Sequence, residues 1–123
     1  MAFVNMDYEL GEGIGLAKLL WTNPDPSSDY SGGTPISVNL SNYTGILVKI
    51  KDNKNVNGWS ITYIDKSLPS NQALRASTSE RQRIITSISD TGVVFGAGYN
   101  ASTQNNSYAI PWEIYGISIE YTS

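Results

Sequence analysis

Gly45-Ile-Leu-Val-Lys-Ile-Lys51, Asp52-Asn-Lys-Asn-Val-Asn-Gly58 and Trp59-Ser-Ile-Thr-Tyr-Ile-Asp65 read as strand, loop and strand. In the first stretch Ile46, Val48 and Ile50 fall on one face, and Leu47, Lys49 and Lys51 on the other. That period of two belongs to a pleated strand with one buried side. In the last stretch Trp59, Ile61 and Tyr63 share a face. The polar residues between them end in Asn57-Gly58, a dipeptide that favours a primed hairpin turn. The chain is therefore expected to be built of antiparallel hairpins.

The same pattern extends in both directions. Ala17–Thr22 reads as a strand, followed by a loop of turn formers from Asn23 to Asp29. Ile36, Val38 and Leu40 alternate after Pro35, which belongs at a strand's start or edge. Residues 66–80 are polar, with room for a short uncapped helical turn. Arg81–Ile88 and Gly92–Gly98 are further strands, and Tyr99–Ser107 reads as a polar loop. In the closing stretch Tyr108–Tyr121, the apolar parity changes near Gly116, where a β-bulge is expected. About eight short strands with turns between them predict an all-β antiparallel β-sandwich or jelly-roll-like domain. The domain is expected to span residues 17–123, preceded by an N-terminal arm over residues 1–16. In the arm, Phe3, Met6, Tyr8 and Leu10 are apolar, and three glycines from Gly11 to Gly15 oppose a helix. Those four side chains are expected either to clasp a neighbouring subunit or to pack as an edge strand on their own domain.

Composition narrows the function. The chain has 123 residues, no cysteine and no histidine, so thiolate and imidazole chemistry are both ruled out. No Gly-x-Ser-x-Gly elbow and no phosphate loop is present. Asp52, Asp65, Glu80 and Asp90 lie in or beside turns, where acidic residues are common without catalytic purpose. The reading is of a protein that is not an enzyme and takes no cofactor and no metal. Asn53–Gly58 imitates half of a calcium loop, but it starts with Asn53 and has Ile64 where the closing glutamate belongs. Net charge is -3 and the eight basic residues are scattered, so no nucleic-acid partner is expected. No apolar stretch approaches a membrane span. The first fifteen residues lack a basic, then apolar, leader pattern, so no signal peptide is expected.

Three tryptophans and eight tyrosines are many for this length. Trp21, Trp59 and Trp112 fall in or beside strands, so core or inter-subunit packing is their default. Tyr30, Tyr43 and Tyr99 fall in polar segments. An exposed tyrosine beside Asn, Asp and Ser offers a ring face and fixed polar groups to a sugar. Asp29, Tyr30, Tyr99 and Asn100 are the saccharide-contact candidates on that ground.

The order of several short motifs adds a resemblance. Leu20-Trp-Thr-Asn-Pro-Asp-Pro-Ser-Ser28 is followed by Ile36-Ser-Val-Asn-Leu-Ser-Asn-Tyr-Thr-Gly-Ile-Leu-Val-Lys-Ile50. Arg83, Thr91-Gly-Val-Val-Phe95 and Ala109-Ile-Pro-Trp-Glu-Ile-Tyr-Gly-Ile117 come next. Over roughly residues 19–119 this series resembles a small β-sandwich domain of structural proteins in tailed bacteriophages of Gram-positive hosts, of the tail-fibre, baseplate or receptor-binding type. The resemblance implies a virion-surface protein that adheres to host cell-surface polysaccharide. It also implies contacts with other virion proteins and a homo-oligomer, with a trimer favoured by analogy. It brings no catalytic residues. A tail fibre would carry a shaft, and this sequence reads as none, which favours the alternative of a capsid- or tail-decoration protein held by its arm. A bacterial carbohydrate-binding module is the more distant alternative.

Overall fold

Ile46, Val48 and Ile50 are fully buried, as their alternation requires, and the sandwich is assembled around them. The computed structural model describes residues 2–3, 17–67, 72–75, 80–118 and 120–121. The strands are β1 (Ala2–Phe3), β2 (Ala17–Thr22), β3 (Pro35–Ser37), β4 (Gly45–Asn53) and β5 (Trp59–Asp65). They continue with β6 (Gln72–Arg75), β7 (Arg81–Ser89), β8 (Gly92–Asn100), β9 (Thr103–Gln104), β10 (Tyr108–Ile117) and β11 (Glu120–Tyr121). One sheet runs β2-β10-β4-β5; the other runs β3-β8-β7-β6, with β9 on β8. Every pairing is antiparallel. The expected β-sandwich is thus the observed architecture.

The core lies between the sheets. Ile46, Val48, Ile50, Ile64 and Ile114 come from the first, and Ile36, Leu74, Ile85, Val93 and Phe95 from the second. Val38 and Leu40 close one end, where Val38 N–H donates to Thr91 O and Leu40 N–H to Asp90 O. Along one side the two sheets are joined at their margins, where Ser60 Oγ on β5 donates to Arg75 O on β6.

Three local expectations are corrected. The segment read as polar with a helical turn carries strand β6, because Leu74 is fully buried and draws its backbone onto β7. The β4–β5 connection turns at Lys54-Asn55, not at Asn57-Gly58. There Asn53 Oδ1 accepts the Asn55 N–H and Asn53 O accepts the Val56 N–H, so the asparagine closes the turn with its own side chain. Gly116 lies in regular register with Ile46 and Lys18. The bulges fall earlier, between Ile114 and Tyr115 against β2 and between Pro111 and Glu113 against β4. Gly116 is small for another reason: a Cβ there would stand 2.7 Å from the Tyr43 ring and 2.8 Å from Leu20.

The charged residue at the centre is Arg83, fully buried on β7. Its Nε donates to Ala109 O at 2.9 Å. Its Nη1 donates to Tyr30 O at 2.9 Å and Gly96 O at 2.7 Å. Its Nη2 donates to Asn106 O at 3.3 Å and Tyr108 O at 2.9 Å. The guanidinium also lies 5.3 Å from the Tyr30 ring centroid. Burial pushes its pKa down from 12.5 to about 10, which leaves it charged at neutral pH. Gly98 makes the room: a Cβ there would stand 2.9 Å from Nη2 and 2.5 Å from Tyr108 O. Ala109, whose carbonyl meets Nε, has φ of +50°, a left-handed conformation that alanine rarely adopts.

An ammonium has three donors and no planar fork, so it cannot replace this set. Arg83→Lys and Arg83→Met are both expected to lose about 3–5 kcal/mol of stability, from buried carbonyls left without donors. Denaturant unfolding at unchanged slope measures it. A loss below about 1 kcal/mol for Arg83→Met would show that those carbonyls find other partners.

Candidate functional site: the outer face of the four-stranded sheet

The strand that buries Ile46, Val48 and Ile50 must turn Leu47, Lys49 and Lys51 the other way. Register then fixes their neighbours. Leu47 stands opposite Tyr63 on β5 and Tyr115 on β10, and Tyr115 stands opposite Leu19 on β2. Lys49 stands opposite Ile61 and Glu113, and Lys51 opposite Trp59. Trp112 is the extra residue of the bulge between Pro111, opposite Ile50, and Glu113, opposite Lys49. The bulge re-aims that side chain, and its ring lies beside Lys49 and Lys51 on the outer face.

The bulge is latched from the first loop. Asn23 N–H donates to Trp112 O at 2.8 Å, and Asn23 Nδ2 donates to Pro111 O at 2.8 Å. Asn23 is buried, so both bonds are shielded from water.

Two indoles therefore flank one ammonium. Lys49 Nζ lies 4.7 Å from the Trp59 ring centroid and 4.1 Å from that of Trp112. Such contacts hold rings as well as cations in place. Lys49 Nζ also faces Glu113 Oε1 at 3.6 Å. Tyr115 donates its hydroxyl to the same oxygen at 2.9 Å. The Tyr115 phenol is pushed up to about 12, chiefly by burial, then by that hydrogen bond and the Glu113 charge. Trp59 is 51% exposed, Leu19 48% and Ile61 41%, so the face is open to solvent along β5 and at Leu19, while Leu47 and Lys51 on β4 are buried between them. Of the two defaults, core or inter-subunit packing, the exposure of Trp59 removes the core one; Trp21 packs against the core.

Lys51 has a different task. It is buried, and its Nζ donates to Pro26 O at 3.1 Å and Lys54 O at 3.3 Å. In the loop compared above with a calcium loop, the Lys54 carbonyl thus receives an internal ammonium, while Asn53 Oδ1 is occupied by the Asn55 N–H.

The residues singled out from sequence fall elsewhere. Asp29 is exposed and pairs with Lys54 at 2.9 Å. Tyr30 is not a free loop ring: it stands edge-on to Trp21 at 6.4 Å and to Phe95 at 6.2 Å. Burial raises its phenol pKa, with Arg83 opposing. Tyr99 and Asn100 end β8 and pair with Gln104 and Thr103 of β9, so their segment is strand, not loop. The Tyr99 hydroxyl donates to Gln104 Oε1 at 3.3 Å. Among the described residues, no hydrogen bond or ring contact joins Asp29 and Tyr30 to Tyr99 and Asn100. In the arm, Phe3 lies in β1, paired with Glu120 of the same chain; Met6, Tyr8 and Leu10 lie outside the described residues.

Two open grooves mark the end of the sandwich away from the β4–β5 loop. One, of about 430 Å3, is lined by Ser37, Val38, Asn39, Ser41, Asp90 and Thr91. The other, of about 390 Å3, is lined by Tyr43, Thr44, Asp65, Lys66 and Ser67. Their polar groups are engaged locally: Asn39 Oδ1 with Ser41, Asp65 Oδ1 with Ser67, and Lys66 with Asp90 and Leu40 O.

Comparison with protein-family models, curated proteins and solved structures finds no match to this chain.

Tyr115 supplies a test of the face. An unfolded tyrosine loses its proton near pH 10, whereas Tyr115 keeps its own until about 12. Between those values the folded chain holds more protons, so stability falls as pH rises through that window. Spectrophotometric titration is expected to show one of the eight tyrosines titrating last, near pH 12. Tyr115→Phe is expected to remove that step and flatten the alkaline loss of stability; an unchanged profile would break the assignment.

Proposed function

We propose that this chain is a non-enzymatic adhesion module that holds a saccharide on the outer face of its four-stranded sheet, in the setting of a bacteriophage virion surface. One observation carries the saccharide reading: Trp59 is half exposed and shares the Lys49 ammonium with Trp112, and Lys49 of β4 pairs with Glu113 of β10. A sugar ring presents C–H groups on its faces and hydroxyls at its rim. The indole of Trp59 suits the first, and the ammonium and carboxylate of Lys49 and Glu113 supply a donor and an acceptor for the second. Both rings stand on paired strands, so little motion has to be frozen on binding. The virion setting rests on the motif series from Leu20 to Ile117 and on nothing in the site itself.

A second reading keeps the setting and changes the partner. Leu19, Ile61 and Val56 are exposed apolar residues that a sugar has little use for. They favour a decoration or assembly protein whose outer face rests against another virion protein.

Glycan-array binding and tryptophan fluorescence titration separate the readings. Trp59→Ala is expected to weaken saccharide binding about tenfold or more, and to leave the unfolding midpoint nearly unchanged because the ring is half exposed. Tyr30→Ala is expected to do the reverse, lowering stability with little direct effect on affinity. An array on which the purified protein binds no saccharide favours the decoration reading.

A further inference from the structure

The saccharide reading leaves the class of sugar open, and the charges around the two indoles narrow it. Lys49 and Lys51 stand within 4.1 and 5.5 Å of the Trp112 ring centroid. The carboxylate beside them is Glu113, already bonded to the Tyr115 hydroxyl. Asp65, at the far end of β5, is held by Ser67 and Tyr63. Among the described residues, two lysines thus stand beside Trp112 and one carboxylate pairs with Lys49, in a chain whose net charge is -3.

Lys49 is the cation within reach of a ligand. Lys51 is buried, with its ammonium bonded to two carbonyls. The Lys49 side chain is 19% exposed, and Glu113 lies at 3.6 Å, beyond the usual length of a charge-assisted hydrogen bond. Among the described residues its ammonium donates no hydrogen bond. An ammonium with three donors and one loose ion pair is incompletely neutralised.

We infer that the face selects an acidic saccharide: a pyranose carrying a carboxylate or phosphate, stacked on Trp59 with its anion on Lys49. This rests on the saccharide reading above and adds charge selectivity to it. The anion takes donors that Glu113 does not fill, and Glu113 keeps its bond from Tyr115. A neutral ring gains the stack without the ion pair.

The test uses matched probes that differ in charge alone. Tetragalacturonate is compared with its methyl ester, and a phosphorylated mannan with its dephosphorylated form, by fluorescence titration and calorimetry. The expected result is at least one acidic probe bound about tenfold or more tighter than its neutral partner. That preference should fade with added salt, disappear in Lys49→Gln, and all binding should fall in Trp59→Ala. The salt series on the unaltered chain gives the same answer if Lys49→Gln does not fold. The acidic probe that binds separates carboxylate from phosphate. Equal affinity for charged and neutral forms overturns the charge selectivity and leaves the saccharide reading standing. Acidic binding that survives Trp59→Ala overturns the placing of the site. No binding to any probe here or on the glycan array removes both.

Discussion

A buried guanidinium held by backbone carbonyls organises this sandwich. Arg83 brings a full charge into the space between the sheets, and removing that charge from water is costly unless every donor is met. Five carbonyls meet it, from Tyr30, Gly96, Asn106, Tyr108 and Ala109. They belong to the loop after β2, to β8, to the turn before β10 and to β10 itself. Backbone carbonyls in irregular segments would otherwise lie buried without ladder partners. One side chain thus solves two problems: its own desolvation, and that of the loops crossing the end of the sandwich.

The candidate face depends on the same arrangement through the loop after β2. Arg83 holds that loop at the Tyr30 carbonyl, Lys51 holds it at the Pro26 carbonyl, and Asn23 latches its start to the β10 bulge. The bulge then turns Trp112 outward against Lys49. The chain of contacts runs from a buried charge to a loop, from the loop to a bulge, and from the bulge to the Trp112 ring. The aliphatic inner side of the same strands supplies rigidity, since Ile46, Val48, Ile50 and Ile114 are fully buried behind the exposed aromatics.

Much of the fold was legible because a strand states its two sides in alternate letters. The Gly45–Lys51 run declared an apolar side and a lysine side; the structure keeps Ile46, Val48 and Ile50 inward but buries Leu47 and Lys51 on the other side as well. What sequence could not weigh was tertiary demand. Leu74 looked like one apolar residue in a polar segment, yet the core draws it in and makes a strand. Arg83 counted as one of eight scattered basic residues, because nothing local reveals carbonyls contributed from 13 to 53 residues away. The site was less legible for a related reason. Tyr30 sits among Asp and Ser, which suggests exposure, but its ring is taken by Trp21 and Phe95. Trp59 suggested core or inter-subunit packing by type, and only hairpin register places it opposite Lys51 on the outer side. The signal that would have found it was present: β5 must match β4 side for side, so the lysine side of one carries the tryptophan side of the other.

That pairing also shows why the aromatic face can stand in water without disordering. A half-exposed Trp59 and a partly buried Trp112, on the two strands that flank β4, would gain by collapsing on each other or on a neighbouring chain. An ammonium between Trp59 and Trp112 holds them apart, and the partly covered Lys49–Glu113 pair ties that ammonium to β10. The interaction is stronger than its exposed counterpart because the rings exclude water from one side of it. Yet it is not closed, since the carboxylate is shared with Tyr115 and the ion pair is long. A charge held firmly by rings and loosely by its counter-ion keeps the face in shape.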